Sequence, residues 1–426
     1  MRNAEGDMTR IELAADGRLR RRVIASIAGT GALALAPARL ITASIGSSAE
    51  LGFTELPDGA LAEQSLQVLP GKVPLIRKTA RPPNFETPIE YFRTPITRND
   101  AFFVRWHLSS IPELNAASWV LTVGGDSLQR EQSWTLAQLR SEFEPAQVTA
   151  VCQCSGNRRG LFEPHVPGVQ WGVGAMGNAA WRGVRVKDVL ARAGLKEDAV
   201  EVVFDGADRG AVDGIPDFVK SLPVETALDP DTLIAFEMNG EPLPPMNGYP
   251  ARLVVPGWTG TYWVKSLVGI RVVPTPESGF WMSTAYRLPR GKFRTRSFSS
   301  QVKEANEPIT TMVVNSLITS LHAGQQIQRG RPIEVRGLAW DGGSGIARVD
   351  VSIDAGVTWR PATLGQDLGR YSFQEFELRA PAVGTGEHVV MARATSRAGE
   401  TQVERLIHNP SGYHHNVIQQ IRVEVA

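Results

Sequence analysis

Hydrophobic and polar positions alternate with a period of two in most of the patterned stretches of this chain, and with a helical period in only a few. Gln147 to Cys154 alternates and runs into Ser155-Gly156-Asn157, which predicts a strand ending in a loop. Ala101 to His107 combines three aromatic residues with Val104 and also reads as a strand, as do the apolar runs Val200–Asp205 and Arg252–Pro256. The helical signals are short. One begins in Ser133–Arg140 with Ser133 or Thr135 as its cap, and another covers Val186 to Ala193 and stops at Gly194. Strands and short helices without regular strand–helix–strand spacing predict an α+β fold rather than a doubly wound sheet. Beyond residue 305 the texture changes. Ile333–Trp340 and Ala347–Ile353 alternate on either side of the turn Asp341-Gly342-Gly343-Ser344-Gly345, and further β runs follow at Tyr371–Leu378, His388–Thr395 and Val417–Val425. Spaced strands with glycine turns predict an immunoglobulin-like β-sandwich over residues 306–426.

The N-terminal stretch has a different character. Arg18-Leu19-Arg20-Arg21-Arg22 precedes the apolar run Val23–Ala36, and small residues follow at Ala36-Pro37-Ala38 and Ile41-Thr42-Ala43. The pattern predicts an export signal of the twin-arginine type over residues 1–43, and hence a periplasmic location. The apolar run is too short to span a bilayer comfortably, and no later segment is longer, so no stable membrane insertion is expected. Residues 44–100 are proline-rich and read as an arm wrapped around a domain. The expected plan is therefore a signal at 1–43, a catalytic domain at 44–305 and the sandwich at 306–426.

The 426 residues carry a net charge of +1, without the basic excess of a nucleic-acid binder, so no nucleic-acid partner is expected. Cleavage after residue 38 removes six arginines and four acids and leaves −1, so a positively charged site has to be built locally. The two cysteines, Cys152 and Cys154, are too far apart on a strand to favour a disulfide. Cys154 opens the loop Cys154-Ser155-Gly156-Asn157-Arg158-Arg159-Gly160. Cations beside a thiol favour the thiolate, the form that binds metals, and small residues let backbone N–H groups approach an anion. The residues alone leave open a buried, inert cysteine beside a solvated arginine pair.

This loop resembles the molybdenum-ligating loop of the sulfite oxidase family, and other segments agree in order. Phe103-Val104-Arg105-Trp106-His107 is similar to that family's F-x-R-x-H strand. Gly168-Val169-Gln170-Trp171, Trp181-Arg182-Gly183-Val184, Ala235–Pro244, Tyr249–Gly257 and Trp263-Val264-Lys265 follow. Gly337–Trp340 and Val349–Asp354 resemble the start of its dimerisation sandwich, so the likeness runs over roughly residues 55–426. It implies a sulfite-oxidase-type molybdopterin-binding domain and a molybdenum–molybdopterin cofactor with Cys154 as the thiolate on the metal. Arg105, Arg159 and Lys265 would attract the oxyanion, Tyr286 would bond an oxo group or move a proton, and Trp171 would form a pocket wall. Phe103, Arg105, His107, Ser155, Asp208, Asn247, Arg252, Trp263, Val264 and Lys265 would hold the pterin and its phosphate. Asn247 departs from the His of animal enzymes. The turn Asp341–Gly345 lacks the arginine those enzymes carry, which would open the pocket if that arginine encloses sulfite. Cys152 is expected in the core, and His414 and His415 on the surface.

The resemblance is strongest to periplasmic bacterial sulfite dehydrogenases. It implies oxidation of sulfite to sulfate, with electrons passed to a cytochrome c subunit or a soluble cytochrome c, and a homodimer formed through the C-terminal domain. The chain has no C-x-x-C-H, so no haem is expected on it. The alternatives are a sulfane-sulfur dehydrogenase subunit or an oxyanion or sulfoxide reductase of the same family, and, from another class, a cofactor-free periplasmic binding protein.

Overall fold

A computed structural model describes residues 66–290, 306–382 and 384–426, all within one compact unit. The expected export signal and the first part of the arm lie outside the described residues. The remainder of the arm is more ordered than its proline content suggests. It folds into an antiparallel sheet of Leu66–Gln67, Leu75–Thr79, Asn84–Glu86 and Val104–Arg105. The predicted strand at 101–107 contributes only its middle two residues to this sheet, where Asn84 pairs with Arg105. Leu75, Phe85, Val104 and Trp106 form a small core beneath it.

Two five-stranded sheets make up most of the rest of the first domain, and Arg287–Pro289 pairs separately with Asn306–Pro308. One orders Val219–Pro223, Glu201–Gly206, Leu267–Val273, Val120–Gly124 and Gln132–Thr135, with a single parallel contact between Leu267–Val273 and Val120–Gly124. The other orders Glu241–Pro242, Leu233–Met238, Met176–Arg185 and Pro145–Gln153, with Arg252–Val254 paired to Leu233–Met238. The helices are short, as their sequence signals require. Thr135 caps Leu136–Glu142 in a reciprocal box with Gln138, and Gly194 ends Val186–Ala193 at φ 81°. The apolar faces of both sheets meet in one large core.

The second domain is the expected sandwich. A sheet of Asn315–Ile318, Pro332–Trp340, Gln374–Pro381 and Thr363–Leu364 faces one of Gln325–Ile327, Gln419–Val425, Gly386–Ser396, Ile346–Ser352 and Arg360–Pro361. The two domains share apolar surface: Phe92, Val151, Val173 and Met176 pack with Met312, Leu317, Leu338, Trp340 and Phe373. This seam lies behind the strand Pro145–Gln153, so the sandwich braces the strand that leads to Cys154. No helix among the described residues is long and apolar enough to cross a membrane.

Candidate active site

The loop after Pro145–Gln153 is set by a few specific bonds. The Cys154 N–H donates to the Ala175 carbonyl at 2.9 Å, and the Asn157 N–H returns to the Cys154 carbonyl at 2.9 Å. Asn157 Oδ1 accepts from the Ala175 N–H at 3.0 Å. The segment on the far side is fixed from the arm. The buried Glu86 carboxylate accepts the Gly172 and Gly174 N–H groups at 2.7 and 2.8 Å and lies 3.1 Å from Lys78. Gly174 has no alternative, because a Cβ there would stand 1.9 Å from the Thr87 carbonyl oxygen.

The adjacent arginines are not solvated. Arg158, left-handed at φ 67°, donates across the domain seam to Asn315 Oδ1 and the Ser316 carbonyl at 2.8 and 2.7 Å. Burial pulls it down to about 10. Arg159 turns the other way. Its guanidinium fits where Gly156, Gly168 and Gly412 leave room, donates from Nε to the Ser411 carbonyl at 3.0 Å and from Nη1 to the Val169 carbonyl at 3.3 Å, and lies 5.1 Å from the Tyr413 ring centre. Both arginines thus tie the Cys154 loop to the sandwich.

Cys154 faces a narrow cleft. Phe103, Arg105, His107, Ser155, Asn247, Arg252, Lys265 and Tyr286 line it together with Cys154. A hydrogen-bond chain runs along one wall. Arg105 Nη2 donates to the Tyr286 hydroxyl at 3.4 Å, and that hydroxyl is also bonded to His107 Nε2. The phenol oxygen has room to accept from both Arg105 and His107, so the direction of the Tyr286–His107 bond follows the imidazole tautomer. Burial first, then Arg105, Lys265 and Lys220, holds His107 well below its usual range, so the ring is neutral. Its Nδ1 is buried without a partner, and so are Ser155 Oγ, Thr261 Oγ1 and Arg252 Nε.

The opposite side is cationic. Lys265 lies 4.5 Å from the Trp106 ring centre, and burial pulls its ammonium down to about 8. Arg252 is buried over Trp181 and Trp263 and donates to the Asn247 and Trp263 carbonyls at 2.8 and 2.9 Å. Asn247 Nδ2 donates to the Phe103 carbonyl at 3.0 Å, while its Oδ1 accepts from Lys72 Nζ at 2.6 Å. Cys152, expected only in the core, is buried but also lines this cleft; burial pushes its thiol up to about 11, and both cysteines are free.

Orphaned donors and cations around one thiol fit an anionic organic group rich in hydrogen-bond acceptors. Among the described residues no group of three or more His, Cys, Asp or Glu side chains comes together, so a metal at Cys154 needs ligands that the organic group brings. The donor set therefore suits a molybdenum–molybdopterin.

Not every expected residue reaches the cleft. Trp263, Val264 and Asp208 are buried beside it and do not line it. Burial raises Asp208, and Lys265 partly offsets this. Trp171 is fully buried with an unpartnered Nε1 and is absent from the lining, so its expected place as a pocket wall is not what the structure shows. The turn Asp341–Gly345 belongs elsewhere: Gly342 and Gly343 line a separate cleft with Arg370 and Tyr371. Its lack of an arginine therefore does not open the Cys154 cleft. His414 is half-buried and His415 buried, so neither is the exposed residue expected. Burial pulls them to about 4 and about 3, because their loop packs against the first domain, where Phe162 meets His415 edge-on at 5.6 Å. Sequence reasoning missed Phe218, stacked on His107 at 3.6 Å, together with Tyr413, Lys72 and Lys220.

Comparison with known proteins agrees with this geometry. The family model of the oxidoreductase molybdopterin-binding domain matches residues 107–281, and that of the Mo-co oxidoreductase dimerisation domain matches residues 306–426. Sulfite oxidase of Gallus gallus is 34% identical over 367 residues, covering 83% of this chain and 78% of the chicken enzyme. The chain belongs to the sulfite oxidase family. Mitochondrial sulfite oxidase of Homo sapiens, another member, is 33% identical over 81% of this chain, which spans 65% of the human enzyme's length. Among solved structures, the sulfane dehydrogenase SoxCD of Paracoccus pantotrophus matches with a TM-score of 0.71 and 27% identity, covering 91% of this chain and 97% of that one. The molybdopterin-binding domain followed by a sandwich is thus the architecture of the family.

Proposed function

We propose that this chain is a periplasmic sulfite dehydrogenase that oxidises sulfite to sulfate and passes the electrons singly to a cytochrome c. The observation that carries the reading is the convergence of Cys154, Arg105, Lys265 and the Tyr286–His107 pair on one cleft with orphaned donors. Cys154 would hold molybdenum. His107 Nδ1, Ser155, Thr261, Arg252 and Lys265 would hold the pterin and its phosphate. The bound group supplies two-electron oxidation with transfer of an oxygen atom that water replaces; sulfite and water give sulfate, two protons and two electrons. The protein binds and orients. Arg105 presents positive charge beside the Tyr286 hydroxyl, where an oxyanion gains a charge-assisted contact. Burial raises Tyr286 and holds His107 neutral, so the phenol keeps its proton and the wall presents a hydrogen-bonding hydroxyl next to the reacting oxygen. The buried aromatic ring of Phe218 keeps water from the imidazole.

The arginine-led apolar run at residues 18–36 supports export by the twin-arginine route, and the match to the dimerisation domain supports a homodimer. A second reading, oxidation of sulfane sulfur, is favoured by the match to SoxCD and by the two Arg159 donors engaged by carbonyls. Purified protein with molybdenum bound should reduce ferricyanide with sulfite. Reduction with thiosulfate and none with sulfite would select the second reading.

A further inference from the structure

We infer that Lys220 is a positioning residue for Tyr286, holding the phenol from behind the cleft wall and biasing its bond to His107 with a buried positive charge. The inference rests on the reading of this cleft as the oxidation site. Lys220 sits on the strand Val219–Pro223 and is 1% exposed. Among the described residues no carboxylate pairs with it. Its Nζ instead donates to the Trp281 carbonyl at 2.7 Å and lies 4.5 and 5.3 Å from the ring centres of Tyr262 and Tyr286. A buried ammonium held by one carbonyl and two ring faces is costly to keep, which points to a task beyond packing.

The task is visible in what it touches. Tyr286 stands at φ 58°, a left-handed conformation unfavourable for a tyrosine, which persists only where the surroundings over-determine it. Its ring stacks on Tyr413 at 5.7 Å with planes 8° apart, and Lys220 adds a second hold on the ring. The carbonyl that Lys220 binds belongs to Trp281, whose ring meets both His107 and Phe218 at 5.1 Å. One ammonium therefore fixes both partners of the Tyr286–His107 bond. The charged and titratable groups facing Tyr286 are Arg105, Arg159, Cys154, Tyr413 and His107, and those facing His107 are Arg105, Lys265 and Lys220. Lys220, like Arg159 and Tyr413, stands outside the lining, and it reaches the pair from the side of Trp281. Burial, and then Arg287, pull it down to about 7 against a smaller opposing pull from Glu201, so its charge is present in acid and lost through neutral pH.

The test compares Lys220→Met and Lys220→Arg in the molybdenum-loaded enzyme with sulfite and ferricyanide. Lys220→Met should lower kcat about tenfold or more with KM nearly unchanged, and Lys220→Arg should recover most of the loss and flatten the kcat profile between about pH 6 and 8. Lys220→Met added to Tyr286→Phe should cause no further loss; additive losses would overturn the inference, as would a parent-like kcat in Lys220→Met. A readout independent of turnover uses protein labelled with ¹³C at the tyrosine hydroxyl carbon, the Tyr286 signal being identified by its loss in Tyr286→Phe. Lys220→Met should shift that signal, and an unmoved signal refutes the positioning role. If the parent oxidises no sulfur substrate, the reading of the cleft fails, while the resonance still decides the role of Lys220.

Discussion

Replacing Glu86 by Gln changes one oxygen into an NH₂ group and should undo the seat of the Cys154 loop. The carboxylate takes one backbone N–H on each oxygen, from Gly172 and Gly174, with the Lys78 ammonium beside it. In the glutamine one oxygen remains an acceptor, and the other position presents a donor to a donor. The lost charge-assisted bond is worth about 1.5–3 kcal/mol, the stranded buried N–H about 1–3 kcal/mol, and the weakening of the surviving bond about 1 kcal/mol. Together these reach about 3.5–7 kcal/mol, well above an ordinary surface change. Urea denaturation should show this loss in Glu86→Gln, while the exposed Glu404→Gln should stay within about 0.5 kcal/mol. Ala175, which takes the Cys154 N–H, lies next to the released glycines, so bound molybdenum should fall as well. A loss below about 1 kcal/mol with full molybdenum content would refute the claim that this carboxylate seats the loop.

Cys154→Ser should eliminate bound molybdenum and sulfite oxidation, whereas Cys152→Ser should retain both; metal analysis and a ferricyanide assay separate them. Arg159→Met should raise KM for sulfite by about three- to tenfold and make KM less sensitive to ionic strength, since two of its donors already hold carbonyls. An unchanged KM and salt slope would remove Arg159 from the anion path. In the cofactor-free chain, Lys72 and Lys220 at about 7 and Lys265 at about 8 lie below an unfolded lysine, so the unfolded state binds more protons above pH 7 and stability should rise from pH 7 towards 9.5. The slope is at most about 1.4 kcal/mol per pH unit for each lysine, and a melting temperature that falls over this range would contradict the burial of their ammonium groups.

What sequence pattern can report is local, and local features were read well. Thr135 as a cap, Gly194 as a stop and the alternation of Ile333–Trp340 each depend on neighbours within a few positions. The cleft depends on distant ones. Lys72 reaches Asn247 across 175 positions, and Glu86 reaches Gly172 across 86, so a proline-rich arm that looked merely extended carries groups that shape the site. Lys220 falls in a strand pattern whose lysine suggests a solvent-facing side, but both faces of that strand are covered. The histidines at 414 and 415 were misread for the same reason: two adjacent polar residues look exposed until the fold lays their loop over Phe162. The motif likeness located Arg105, His107, Cys154, Lys265 and Tyr286 together, and the geometry distinguishes these lining residues from Trp171, which is fully buried, and from Arg159, whose side chain is engaged behind the cleft.

The bond from Arg159 to the Ser411 carbonyl joins positions 252 residues apart, and this separation has a meaning in time. At about 5–20 residues per second, a ribosome needs roughly 13–50 seconds to pass from one to the other. During that interval Cys154 has been made, but the clasp that holds its loop has not. A nascent chain therefore displays an open thiol loop, and only the finished chain can shut it. For that interval at least, the loop that carries the thiol is held by the first domain alone.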